Sequence, residues 1–125
     1  MADQQIDVLL IERGAELIGL AAEQGIVLEA HVRGENLPSL LEWAGLANED
    51  DEYPKVVLTL RWRESELRFE IPRPGALLSF ELQRLRPYPS LLKPLTNLTG
   101  LAALAPYHGM VVPIFDPQVI VREHV

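Results

Sequence analysis

Cysteine is absent from this chain of 125 residues, which excludes disulfide staples, thiolate metal sites and cysteine nucleophiles and leaves packing as the source of stability. Long apolar runs are missing too. Patches such as Val8-Leu9-Leu10-Ile11 and Leu101 to Ala105 fall well short of the roughly 18–20 residues that a membrane-spanning helix needs. The opening Met1-Ala2-Asp3-Gln4-Gln5 has neither the basic segment nor the apolar stretch of a signal peptide. Together these absences lead us to expect a cytoplasmic protein with no direct membrane insertion. A basic surplus is also lacking: 11 Lys and Arg stand against 18 Asp and Glu, a net charge of −7. Nucleic acid is therefore not an expected partner, because its non-specific binding relies on cations that displace phosphate counterions. The length suits one domain, spanning 1–125, with a single core.

The charge that is present is unevenly placed. Residues 1–54 carry 12 acidic side chains against only Arg13 and Arg33, a net of −10, whereas 55–125 carry 6 acidic against 9 basic, a net of +3. The polar run Asn48-Glu49-Asp50-Asp51-Glu52-Tyr53-Pro54 lies between them and reads as a solvated acidic connector over 47–54.

Prolines cluster after the connector, which argues against long helices there. Val56, Leu58, Leu60 and Trp62 alternate with Val57, Thr59, Arg61 and Arg63, the period of a strand with one buried face, and Leu67, Phe69 and Ile71 do the same. With Arg63 to Glu66 as the turn, these runs predict a hairpin. Leu78, Phe80 and Leu82 share a face in a third run, and the offset of Leu85 predicts a bulge near Gln83 or Arg84. Arg86 to Pro94 holds three prolines, so an extended crossing is expected rather than a ladder strand. Thr99 to Ala105 and Met110 to Phe115 flank Pro106-Tyr107-His108-Gly109 as another hairpin. In the first half, Ile6 to Glu12 and Glu16 to Ala21 flank Arg13-Gly14-Ala15. Ser39 to Leu46 is the best helical turn, with Pro38 and Ser39 at its start and Gly45 near its end. The expected class is mainly β with short helical turns.

Two segments echo one another. Gly34-Glu35-Asn36-Leu37-Pro38-Ser39-Leu40 and Gly109-Met110-Val111-Val112-Pro113-Ile114-Phe115 each read glycine, two residues, an aliphatic residue, proline, any residue, then an apolar one. Each follows a hairpin whose returning strand opens with Glu-Leu, at Glu16-Leu17 and Glu66-Leu67, which predicts two copies of one unit. Leu17 lies 17 positions before Gly34 and Leu67 lies 42 before Gly109, so the first copy is the shorter.

In these features the chain resembles the CheW-like domain, found in the bacterial chemotaxis coupling protein CheW and in the regulatory domain of the histidine kinase CheA. The residues that carry the resemblance are Val32-Arg33-Gly34 with Leu37-Pro38 and Leu40-Leu41, then Pro89-Ser90-Leu91-Leu92 leading through Leu98 to Ala105 into Gly109 to Asp116. It covers about Ile6 to Val121. The resemblance implies tandem β-barrels: a truncated first lobe over about 6–46 and a second, complete lobe over about 55–122. It also implies a non-catalytic adaptor or scaffold that couples a CheA-type histidine kinase, through its regulatory domain, to the chemoreceptor tip, with head-to-tail lobe contacts that build a homo-oligomer. In the family the arginine beside the turn glycine supports partner contacts, so Arg33 is a candidate binding residue. Exposed apolar residues of the proline-rich crossing, Tyr88, Leu91 and Leu92, are the candidate anchor. Arg84 and Arg86, with Arg61, Arg63, Arg68 and Lys93, are the candidate basic rim.

Enzyme chemistry finds little support in the same residues. His31, His108 and His124 lie far apart, no serine sits in a nucleophile elbow, and Gly14, Gly19, Gly25 and Gly34 are too dispersed for a phosphate loop. No cofactor and no metal are expected. His108 reads as a turn residue and His124 as a frayed end. The alternative is a small β-barrel that binds a ligand or serves as an accessory domain of a larger enzyme complex. It would need an internal pocket with convergent polar groups, whereas Leu58, Leu60, Trp62, Phe69, Phe80 and Phe115 predict a filled interior.

Overall fold

A computed structural model describes residues 4–22, 26–30, 36–46, 54–87 and 98–124. Nine strands are present among the described residues: β1 (Gln5–Arg13), β2 (Glu16–Ala21), β3 (Val27–Ala30), β4 (Lys55–Trp62), β5 (Ser65–Pro72), β6 (Ala76–Glu81), β7 (Arg86–Pro87), β8 (Leu101–Tyr107) and β9 (Met110–Phe115). Two short helices, α1 (Leu40–Trp43) and α2 (Pro117–His124), and a 3-10 turn over Leu82–Arg84 complete them. Among the described residues, no helix is long and apolar enough to cross a membrane.

The three predicted hairpins form where the alternation and the turn residues place them. β1 pairs with β2 around Gly14, β4 with β5 around Arg63-Glu64, and β8 with β9 around His108-Gly109. The last turn has both central residues at positive φ, 46° for His108 and 75° for Gly109, which matches the twist that a two-residue connection needs.

Long-range pairing then assembles a six-stranded sheet in the order β6-β1-β2-β9-β8-β7 and a three-stranded sheet in the order β3-β4-β5. All pairs are antiparallel except β2 with β9, where Gly19 lies beside Ile114 and Leu20 beside Phe115. Gly19 permits that junction: a Cβ there would come within 2.6 Å of Val8 Cγ1 and 3.4 Å of Ile114 Cγ1. The six-stranded sheet curls. Phe80 on β6 meets Tyr107 on β8 with ring centroids 6.1 Å apart, whereas four strand spacings in a flat sheet would separate them by about 19 Å. The edge strands β6 and β7 are also joined directly through the 3-10 turn. Inside the curl lie Val8, Leu10, Ala21, Phe80, Ala105, Val112 and Ile114, all buried.

The other face of the curled sheet, with Leu9, Ile11, Ile18, Leu20 and Phe115, packs on Leu58, Leu60, Phe69 and Ile71 of the small sheet to form the main core. β1 thus has a core on each side, which is why Val8, Leu9, Leu10 and Ile11 are all buried in succession. Both helices seal this core. Ser39 caps α1, its Oγ accepting from Glu42 N at 3.3 Å, and Leu40, Leu41 and Ala44 point inward. The backbone N–H of Glu70 donates to Pro38 O at 2.9 Å, which seats the helix start on the edge of β5.

Several expectations are corrected. The bulge near Gln83 or Arg84 is instead the end of β6: the 3-10 turn takes over at Leu82, which becomes exposed instead of facing inward with Leu78 and Phe80. Arg86 and Pro87 do make ladder pairs, with Leu104 and Ala103, because a proline at an edge strand sacrifices no inner hydrogen bond. The repeated segments differ in conformation. Residues 36–38 lead to the Ser39 cap and then a helix, while Met110 to Phe115 form strand β9; 31–35 lie outside the described residues. The sheets do not follow the two sequential lobes either, since β1 and β2 join β6 and β9 in one sheet, and β3 joins β4 and β5 in the other. The acidic connector lies outside the described residues up to Tyr53.

His124 ends a helix rather than lying in a frayed segment. Pro117 opens α2, Asp116 Oδ1 accepts from Gln118 N at 2.9 Å, and Ile120 and Val121 enter the main core. His124 Nδ1 lies 3.0 Å from Ile120 O, and its ring stacks on Trp43 at 4.9 Å with planes 14° apart. Trp43 in turn makes a T-shaped contact with Phe69, ring centroids 4.9 Å apart.

Candidate protein-binding surface

The junction between β6 and β7 carries the two candidate residues that the structure places. β6 ends at Glu81, where the 3-10 turn begins, and the Glu81 carboxylate bonds to that turn. It accepts from Gln83 Nε2 at 3.0 Å and pairs with Arg84 Nε at 3.5 Å. The Arg84 side chain is 71% exposed, so this pair contributes at most about 1 kcal/mol and leaves the guanidinium available at the surface. Leu85 packs against the inner cluster of the curled sheet, and Arg86, exposed, opens β7 opposite Leu104. Leu82, Arg84 and Arg86 therefore stand on one short exposed connection, an apolar side chain beside two cations. Arg33, Tyr88, Leu91 and Leu92, the other four candidates, lie outside the described residues, as does Lys93.

The remaining basic residues of the expected rim sit on the small sheet. Arg61 and Arg63 are exposed at the β4–β5 turn, and Arg63 holds its guanidinium 5.7 Å from the Trp62 ring centre, a cation–π distance. Arg68 is half-buried on β5, opposite Thr59. The positive surplus of the second half is thus shared between two sheets. Acidic groups are spread as well: Asp7 on β1 accepts from the Ser79 hydroxyl at 2.6 Å, and Glu29 lies on the exposed strand β3. Large apolar side chains reach the surface at Val27, Leu28, Leu77, Leu82, Met110 and Val111. Leu82 was missed as a surface residue because its spacing from Phe80 continues the strand period. The polar Gln83-Arg84 that follows it was the signal that the strand had ended.

The cluster inside the curl is built of apolar side chains, whereas a binding cavity brings polar groups together. A shallow groove of about 320 Å³ lies between the start of β8 and α2, where Arg122 and Glu123 approach to 4.0 Å. A second, of about 180 Å³, lies near Glu12, Pro54 and Arg73. No group of three acidic or histidine side chains able to hold a metal ion occurs among the described residues. His108 is exposed in its hairpin turn, edge-on to Tyr107, and the Ser39 hydroxyl is occupied as a helix cap.

This arrangement, a curled six-stranded sheet sharing a core with a second sheet, is similar to that of the scaffolding protein TtCheW from Thermoanaerobacter tengcongensis. The match covers 91% of this chain and 89% of that chain, with a TM-score of 0.58 and 14% sequence identity. The fold is CheW-like. No protein-family model matches the chain, and none of the curated proteins matches it. The likeness is one of fold and covers 91% of the chain, the Gly109 to Asp116 run being one part of that architecture. In that run β9 supplies the parallel partner of β2 and the inner residues Val112 and Ile114, and Asp116 caps α2.

Proposed function

We propose that this chain is a non-catalytic adaptor that couples a CheA-type histidine kinase, through the kinase's regulatory domain, to chemoreceptor tips or related signalling partners in the cytoplasm. The observation that carries this reading is the CheW-like fold, matched over nine-tenths of the chain to a scaffolding protein. The apolar packing inside the curl supports a role exerted at the surface rather than in a pocket.

In this proposal the exposed Leu82–Arg86 connection and the Pro-rich segment after it form the kinase-facing surface. Arg84 and Arg86 set encounter rate and register at the rim, Tyr88, Leu91 and Leu92 supply the apolar anchor, and Arg33 contacts a partner from the acidic half of the chain. Copies pair through heterologous contacts, which extend into chains or rings. The test is affinity capture from the source cell with the chain as bait. Recovery of a histidine kinase supports the adaptor. Recovery of a metabolic enzyme complex without a kinase supports the accessory-domain alternative and overturns the proposal.

A further inference from the structure

No further inference is drawn: the strongest candidate, the exposed outer edge of β3 in the three-stranded sheet, where Val27 and Leu28 stand beside Glu29, carries none because nothing in the structure shows what covers it.

Discussion

Two glycines in the same backbone region make a controlled pair. Gly100 and Gly109 both hold positive φ, 84° and 75°, so alanine at either costs about 1–2 kcal/mol from the left-handed conformation alone. They differ in their surroundings. A Cβ at Gly109 meets nothing within 4 Å, whereas one at Gly100 would lie 2.4 Å from Ile120 Cγ1, 3.1 Å from Asp116 O and 3.3 Å from Ile120 N. The isoleucine methylene can rotate away, but the two backbone atoms cannot move without lifting the first turn of α2 from the core. That overpacking adds about 1–3 kcal/mol. Urea unfolding followed by circular dichroism measures the difference directly. At a slope of about 1.5 kcal/mol per molar urea, Gly100→Ala will lower the midpoint by about 0.7–2 M more than Gly109→Ala. Equal midpoints for the two variants, with equal slopes, would refute the seating of α2 against the start of β8.

Four other outcomes follow from the same geometry and from the proposed surface. Ile120→Ala removes a fully buried side chain from the main core and will destabilise by about 2–5 kcal/mol, read as a lower thermal midpoint. Asp116→Ala removes the side-chain acceptor for Gln118 N and will cost about 0.5–2 kcal/mol, with Asp116→Asn recovering most of it in the same melt. At the surface, Arg84→Ala with Arg86→Ala will slow association with the kinase regulatory domain and flatten its salt dependence between about 0.05 and 0.5 M while leaving dissociation nearly unchanged; interferometry showing a faster off-rate instead would place these residues in the buried anchor. Leu91→Ser with Leu92→Ser will do the reverse, speeding dissociation in a variant that circular dichroism shows to be folded, and normal binding by that variant would remove the anchor.

Local chemistry was legible in the sequence, and long-range pairing was not. The hairpins follow from period-two alternation closed by Gly14-Ala15, Arg63-Glu64 and His108-Gly109, and α1 follows from Ser39 before Leu40 and Leu41. These signals lie within a few residues of what they determine. The parallel contact of Gly19 and Leu20 with Ile114 and Phe115 joins positions nearly a chain apart, and no local pattern encodes such a partner. The run Val8 to Ile11 shows why: four consecutive apolar residues indicate burial but not that a separate core lies on each face of β1. Charge misled for a related reason. The split at the connector is real, but strands from both sides of it interleave in the six-stranded sheet, so sequence halves are not spatial halves. α2 was missed although its signals were present. Asp116-Pro117 is a cap followed by proline at the first helical position, and Ile120, Val121 and His124 continue at helical spacing. The strand expected over Met110 to Phe115 is the last element that the sequence reading places, and nothing is expected after it. For the surface, Arg84 and Arg86 are exposed as expected, because charged residues beside a proline-rich edge have little else to pack against.

The adaptor reading rests most directly on binding to one partner. The decisive measurement is an equilibrium titration of the full chain against the purified regulatory domain of a CheA-type histidine kinase from the same cell. The account predicts saturable binding with a dissociation constant tighter than about 100 μM. A folded chain that shows no binding at that concentration would contradict it.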